Sequence, residues 1–289
     1  MNYLDLPMKM PNLNKILPIY NMNNYKVGIC GIGFVGNAIM QYLNSLKYIS
    51  LVVYDKYKEI NDFKLLLDTD LLYICLPTSY SAEIKTYYMK EINDTITALS
   101  ICQYKGVILI KSTVLPDYCM NMNKLYPELI IVHNPEFLSA KTAVSDFAQQ
   151  SHIVLGFTEQ SLQTTNYIKE FYIQLFPQAD ISVTNSECSA LMKLGCNSFY
   201  ATKIQFFTEI YLLCEKLNIS YDEVKELMLK NKWINPQHTE VPGSDNCISF
   251  GGACFPKDIS ALNAFMQQIA TPNTVINATI VERNMMRKD

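Results

Sequence analysis

The chain has 289 residues, a formal net charge of −3, 49% apolar residues and 18% charged ones, the composition of one large or two ordinary globular domains with a sizeable core. That charge gives no electrostatic case for nucleic acid or an anionic membrane as partner, and no apolar run approaches the roughly 18 residues of a membrane span. Nine cysteines are scattered without a C-x-x-C pair, which argues for free thiols in a reducing, cytoplasmic setting and against a disulfide framework or a metal site.

The first 24 residues lack the unbroken apolar core of a signal peptide and read as an irregular extension. A first domain is expected over residues 25–185. Lys26 to Cys30 is a short apolar run, predicted as a buried strand. Gly31-Ile32-Gly33-Phe34-Val35-Gly36 follows, and Asn37 to Leu46 carries apolar residues at helical spacing. Strand, G-x-G-x-x-G and helix in that order form a dinucleotide-binding unit. Gly31 permits the tight turn, Gly33 lets a pyrophosphate approach the main chain, and Gly36 lets helix and strand pack closely. The helix start at Phe34 and Val35 offers unpaired N–H donors to the phosphates. A second strand, Leu51 to Tyr54, ends at Asp55, where a carboxylate accepts hydrogen bonds from a ribose 2′-OH and favours NAD over NADP. Lys56 beside it is a cation that would tolerate a 2′-phosphate.

The alternation continues with strands at Leu71 to Leu76, Val107 to Ile110, Leu129 to Val132, Ser151 to Phe157 and Ile181 to Val183, and with a helix expected over Ala82 to Ile92. This predicts an α/β domain with a Rossmann-like, doubly wound parallel sheet. Ligands of such sheets lie beyond the carboxyl ends of the strands. Thr78, Thr113 and Glu136 fall there and are expected to face the dinucleotide or its reaction partner, although each also suits a turn or a helix cap. His133, at a strand end, reads as a core histidine.

Residues 186–289 form the second expected domain. From Ser186 to Leu217 the only helix breaker is Gly195, so one long central helix of about 48 Å is predicted, bridging two lobes or packing on a second copy of the chain. Lys193 and Asn197 share one of its faces, a pair suited to a developing oxyanion and a substrate hydroxyl, or to a solvated polar stripe. A small all-α domain follows, with helices at Tyr221 to Leu229, Lys257 to Gln268 and Thr274 to Met286. Trp233 and Phe250, in the long loop from Asn231 to Gly252, are expected as apolar walls for a base or sugar ring. The loop closes on Phe250-Gly251-Gly252-Ala253-Cys254-Phe255-Pro256-Lys257-Asp258. A cation and free amides beside the thiol would favour the reactive thiolate. The plainer reading is a Gly-Gly turn with a buried cysteine.

Taken in order, Gly31 to Gly36, Lys111-Ser112-Thr113-Val114, Asn134-Pro135-Glu136-Phe137-Leu138, Lys193-x-x-x-Asn197 and Phe250 to Asp258 resemble the UDP-glucose/GDP-mannose dehydrogenase family. The resemblance implies an enzyme that oxidises the C6 alcohol of a nucleotide sugar to a carboxylate with two NAD⁺. It implies Cys254 as the nucleophile, Lys193 and Asn197 holding oxyanions, Glu136 as general base, Asp258 orienting Lys193 or water, and Thr113 positioning that water. It also implies Lys257 near the cofactor phosphates, and Phe137, Leu138, Phe250 and Gly251 against the sugar. UDP-glucose is the expected substrate, with GDP-mannose beside it, and a homodimer through the long helix is the expected assembly. Family members usually carry a further α/β domain after this point, and an arginine where Trp233 stands. A β-hydroxyacid dehydrogenase, which needs no cysteine, and a non-catalytic nucleotide-binding remnant are the alternatives.

Overall fold

The structure, a computed structural model, describes residues 25–288; the expected N-terminal extension lies outside them. Seven strands form one sheet: β1 (Tyr25–Cys30), β2 (Ile49–Tyr54), β3 (Leu71–Ile74), β6 (Val107–Ile110), β7 (Ile130–His133), β8 (His152–Phe157) and β9 (Asp180–Asn185), in the order β2-β1-β3-β6-β7-β8-β9. The strands are continuous apolar runs because both faces are covered. Leu71 and Tyr73 of β3 point to one face, together with Val107 and Leu109 of β6. Leu72, Ile74, Ile108 and Ile110 point to the other. The first face is covered by α1 (Phe34–Asn44), α4 (Ala143–Ala148) and α5 (Thr165–Leu175), and the second by α2 (Lys90–Ile101) and α3 (Tyr118–Leu125).

Two expectations change. The sheet is parallel from β2 through β7, but β8 pairs antiparallel with β7, through Val132 with Phe157 and His133 with Gly156, and β9 then runs parallel to β8. The six-residue helix α4 rises only about 9 Å. The connection that contains it does not bring the chain back along the sheet, so β8 enters from the end where β7 finished. The helix expected over Ala82 to Ile92 begins only at Lys90. Before it, β4 (Tyr80–Ser81) and β5 (Thr86–Tyr87) pair as an antiparallel hairpin. Tertiary packing decides this: Tyr87 is buried against Leu194, Ala261 and Leu262 of the helical region.

Helix α6 (Ser186–Leu217) is the long helix expected, 32 residues without interruption. The Asn185 side chain caps its start by accepting from the Cys188 N–H at 2.7 Å, and Asn218 ends it in the left-handed conformation. Its first turns pack on β7, β8 and β9, and it also packs against α7 (Tyr221–Lys230), α8 (Phe255–Gln268) and α9 (Thr274–Met286). Thus α6 joins the sheet to the helical cluster. Among the described residues, no helix is long and apolar enough to cross a membrane.

Candidate active site

A cavity of about 580 Å³ opens beyond the carboxyl ends of β1, β2, β3, β6 and β7. At one end lie Gly31, Gly33, Phe34, Val35, Asp55 and Lys56. Gly31 has φ +92°, and a Cβ added there would lie 2.8 Å from the Cys75 carbonyl oxygen. A Cβ on Gly36 would lie 1.9 Å from the Gly31 carbonyl oxygen. These two contacts account for two of the three glycines. Gly33 differs: nothing stands within 4 Å of where its Cβ would be, and it borders the cavity. Open space over the glycine at the start of α1 is what a bound pyrophosphate requires, so the residues present fit a dinucleotide.

Asp55 is fixed by the main chain. Its Oδ2 accepts from the Ile32 N–H at 2.8 Å, and its Oδ1 accepts from the N–H groups of Tyr57 and Lys58 at 3.0 and 3.1 Å. The carboxylate is therefore preset at the mouth of the cavity, with lone pairs remaining for hydroxyl donors. Lys56 lines the same mouth and lies 5.7 Å from the centre of the Tyr57 ring.

At the other end lie Thr78, Thr113, Glu136, Cys254 and Lys257. The Thr78 hydroxyl donates to the Thr113 carbonyl at 2.8 Å, tying the turn after β3 to the turn after β6. Lys193 is 5% exposed and does not line the cavity; its ammonium stands behind Glu136, 3.3 Å from Oε1, and 5.3 Å from the centre of the Phe137 ring. The second Glu136 oxygen accepts from the Leu138 N–H at 2.5 Å.

Asp258, fully buried, is the second centre of the cluster. Its Oδ2 accepts from Asn197 Nδ2 at 2.6 Å, and its Oδ1 accepts from Lys257 Nζ and the Tyr87 hydroxyl, both at 2.5 Å. The expected link from Asp258 to Lys193 is thus replaced by links to Asn197, Lys257 and Tyr87. Cys254 is half-buried at the N-cap of α8. Burial pushes its thiol up, and the opposing pull of Lys257 is smaller. The expectation of a favoured thiolate is not met, because the Lys257 ammonium is tied to a carboxylate that itself works against the thiolate.

Three further expectations are corrected. Phe250 is 2% exposed and packs with Ala201 and Ile259, so its ring cannot wall a ligand. A Cβ on Gly251 would lie 2.3 Å from the Arg287 guanidinium, and Gly251 does not border the cavity; Gly252, at φ +78°, is the open member of the pair. Trp233 is 91% exposed and walls nothing in the described structure. Phe137 and Leu138 border a separate depression of about 320 Å³ with His152.

Two residues escaped the sequence reading. Tyr87 sits on the hairpin that propensity concealed. Lys111 was visible only as part of a strand-end motif. Its buried ammonium donates to Asn134 Oδ1 at 3.1 Å and to the Pro135 carbonyl at 3.3 Å, bracing the turn that carries Glu136. Burial lowers its pKa to about 8.

The profile of the family's NAD binding domain matches residues 51–176, and the profile of its central domain matches residues 187–285. The chain belongs to the UDP-glucose/GDP-mannose dehydrogenase family. NAD, the cofactor expected from Asp55, is the one by which the first matched domain is described. A UDP-glucose 6-dehydrogenase of Rickettsia bellii is 32% identical over 223 residues, 74% of this chain and 49% of that protein. One of Rickettsia typhi is 30% identical over 288 residues, 97% of this chain and 60% of that protein. The chain therefore spans about half the length of the curated relatives it matches. Among solved structures, a UDP-glucose dehydrogenase from the archaeon Pyrobaculum islandicum superposes with a TM-score of 0.78 at 20% identity, over 93% of this chain and 70% of that one. This likeness establishes the same fold.

Proposed function

We propose that this chain oxidises the C6 alcohol of a nucleotide sugar, UDP-glucose, to the carboxylate, with Cys254 as the covalent nucleophile. The observation that carries this reading is that Cys254, Glu136 and Lys257 border the same cavity as Gly31, Gly33 and Asp55. NAD, when bound, supplies the hydride acceptor for each of two oxidations.

The residues divide the remaining work. In the first oxidation the alcohol loses its O–H proton and a hydride from carbon, leaving an aldehyde. Glu136, held by Lys193 and the Leu138 N–H, is the acceptor for that proton. The Cys254 sulfur then adds to the aldehyde carbon, and the thiol proton passes to the carbonyl oxygen, giving a thiohemiacetal that cannot diffuse away. Lys193, from behind Glu136, and Asn197, on Asp258, supply the positive charge and the amide dipole that stabilise the oxygen as negative charge develops on it. Glu136 gives its proton up to solvent and accepts the hydroxyl proton of the thiohemiacetal as the second hydride leaves; it releases that proton too, and a thioester remains. Water, positioned by Thr113 and deprotonated by Glu136, adds to the thioester carbon. The C–S bond breaks, the sulfur regains a proton, and the acid is released.

A cofactor domain over residues 25–185, a helical substrate and dimerisation domain over 186–289, and a cytoplasmic setting belong to the same reading. Phe199, Phe206 and Leu213 recur every seventh residue along α6 and are exposed, the spacing of a helix–helix seam, which supports a homodimer through that helix. Light scattering at micromolar concentration checks the dimer; a monomer contradicts it. The substrate is tested by a turnover screen over UDP-glucose, GDP-mannose and their N-acetyl relatives. NADH production fastest with UDP-glucose supports the proposal, and none with any of them defeats it.

A further inference from the structure

Tyr87 lies outside every motif that marks the site, yet it holds one of the site's central groups. Its ring is buried among Leu194, Ala261 and Leu262, and the Lys257 ammonium stands 4.8 Å from the ring centre. Its hydroxyl donates to Asp258 Oδ1 at 2.5 Å, the same oxygen that accepts from Lys257, while Oδ2 holds Asn197. The hairpin carrying Tyr87 leaves the sheet just after Thr78, which borders the cavity. Tyr87 therefore reaches from the cofactor side of the molecule into the packing of α6 and α8.

A carboxylate with no exposure requires donors. Two donors on Oδ1 divide that oxygen between a neutral O–H and a cation. Without the O–H, Oδ1 belongs to Lys257 alone. With one donor fewer, more of the carboxylate's charge falls on the ammonium, and its help to a neighbouring thiolate weakens. The carboxylate plane also loses the contact that keeps Oδ2 on Asn197. A neutral phenol performs this role throughout the working pH range, since burial and the adjacent Asp258 charge push its ionisation well up.

We propose that Tyr87 is a positioning residue for the reaction at Cys254, acting through Asp258 to hold Asn197 and to keep the Lys257 ammonium in place on the cavity wall it shares with the thiol. Its effect on turnover rests on the function proposed above; its effect on the thiol does not. The first measurement is the rate at which iodoacetamide alkylates Cys254 in the full chain at pH 7.5, followed by mass spectrometry of the Cys254 peptide. Tyr87→Phe should slow this about threefold, the equivalent of half a pKa unit. In Asp258→Asn, adding Tyr87→Phe should change nothing further, because the link is gone. Tyr87→Phe should also lower kcat about tenfold with the KM for NAD unchanged. Tyr87→Leu is the second variant; whichever keeps the wild-type melting temperature gives the decision. Tyr80→Phe, on the same hairpin, is the control for a merely structural effect. Equal alkylation of Tyr87→Phe and wild type overturns the proposal, as does an equal slowing by Tyr80→Phe. Absence of turnover with every nucleotide sugar would contradict the proposed function and leave the alkylation rates to decide on Tyr87.

Discussion

Lys193 and Glu136 meet at 3.3 Å with 7% and 10% of their side chains exposed, at the place where the long helix crosses the turn after β7. A pair so removed from water is sensitive to losing one member, because the remaining charge stays buried without a partner. Lys193→Met should therefore destabilise the chain by about 3 kcal/mol in urea unfolding. Lys193→Met with Glu136→Leu should recover most of that. If Lys193 also stabilises oxyanions, both variants should lose about 10²- to 10³-fold in kcat, so stability and activity part company in the double variant.

The glycine-rich turn offers a second separation of fold from function. Gly36→Ala places a methyl group 1.9 Å from the Gly31 carbonyl oxygen, so helix α1 must move away from β1. A drop of about 3 kcal/mol or more in stability is expected, in the range of severe overpacking, together with loss of NAD binding. Gly33→Ala meets nothing within 4 Å inside the chain. Its methyl group instead projects where the pyrophosphate must come. The melting temperature should stay within about 2 °C of wild type, a change of under 1 kcal/mol, while calorimetry shows NAD affinity reduced about tenfold or more.

His133 provides a pH test. It is fully buried at the end of β7, with Nδ1 at 2.8 Å from the Ser189 hydroxyl. Burial, with Lys111 and Lys193 nearby, lowers its pKa to about 3 from an ordinary 6.5. The unfolded chain therefore binds this proton more readily than the folded one between those two values. The contribution is intact above pH 6.5 and is lost as pH falls toward 3, at up to about 1.4 kcal/mol per pH unit. Between pH 6.5 and 5 the wild type should lose about 2 kcal/mol more than His133→Asn. Parallel stability profiles for the two would show that His133 does not govern acid lability.

Much of the fold was legible because the signals were long or doubly determined. The apolar runs of β1, β3, β6 and β7 are buried on both faces, and α6 runs from Ser186 to Leu217 between a capping Asn185 and a left-handed Asn218. The direction of β8 was not legible, because strand orientation depends on the path of the connection from β7 rather than on β8 itself. The hairpin at Tyr80 to Tyr87 was hidden because its partners lie more than 100 residues away, in α6 and α8. Within the site, Gly31, Asp55, Glu136, Lys193 and Cys254 could be found by motif and strand-end position. The pairing among them could not: a sequence shows that Asp258 is near Cys254, not that its oxygens are taken by Asn197, Lys257 and Tyr87. For the same reason the charge on the thiol was misjudged. Lys257 is adjacent in sequence, but its ammonium answers to Asp258, and burial outweighs it.

In the proposed reaction Cys254 holds the half-oxidised sugar so that one chain completes two oxidations. The most direct test counts NADH formed per UDP-glucose consumed by the purified chain, with acid-quenched protein analysed for sugar attached to Cys254. Two NADH per sugar, a nucleotide-sugar acid as product, an adduct on Cys254, and no acid from Cys254→Ala are expected. One NADH per sugar with free aldehyde released, or acid formed at the wild-type rate by Cys254→Ala, would contradict it.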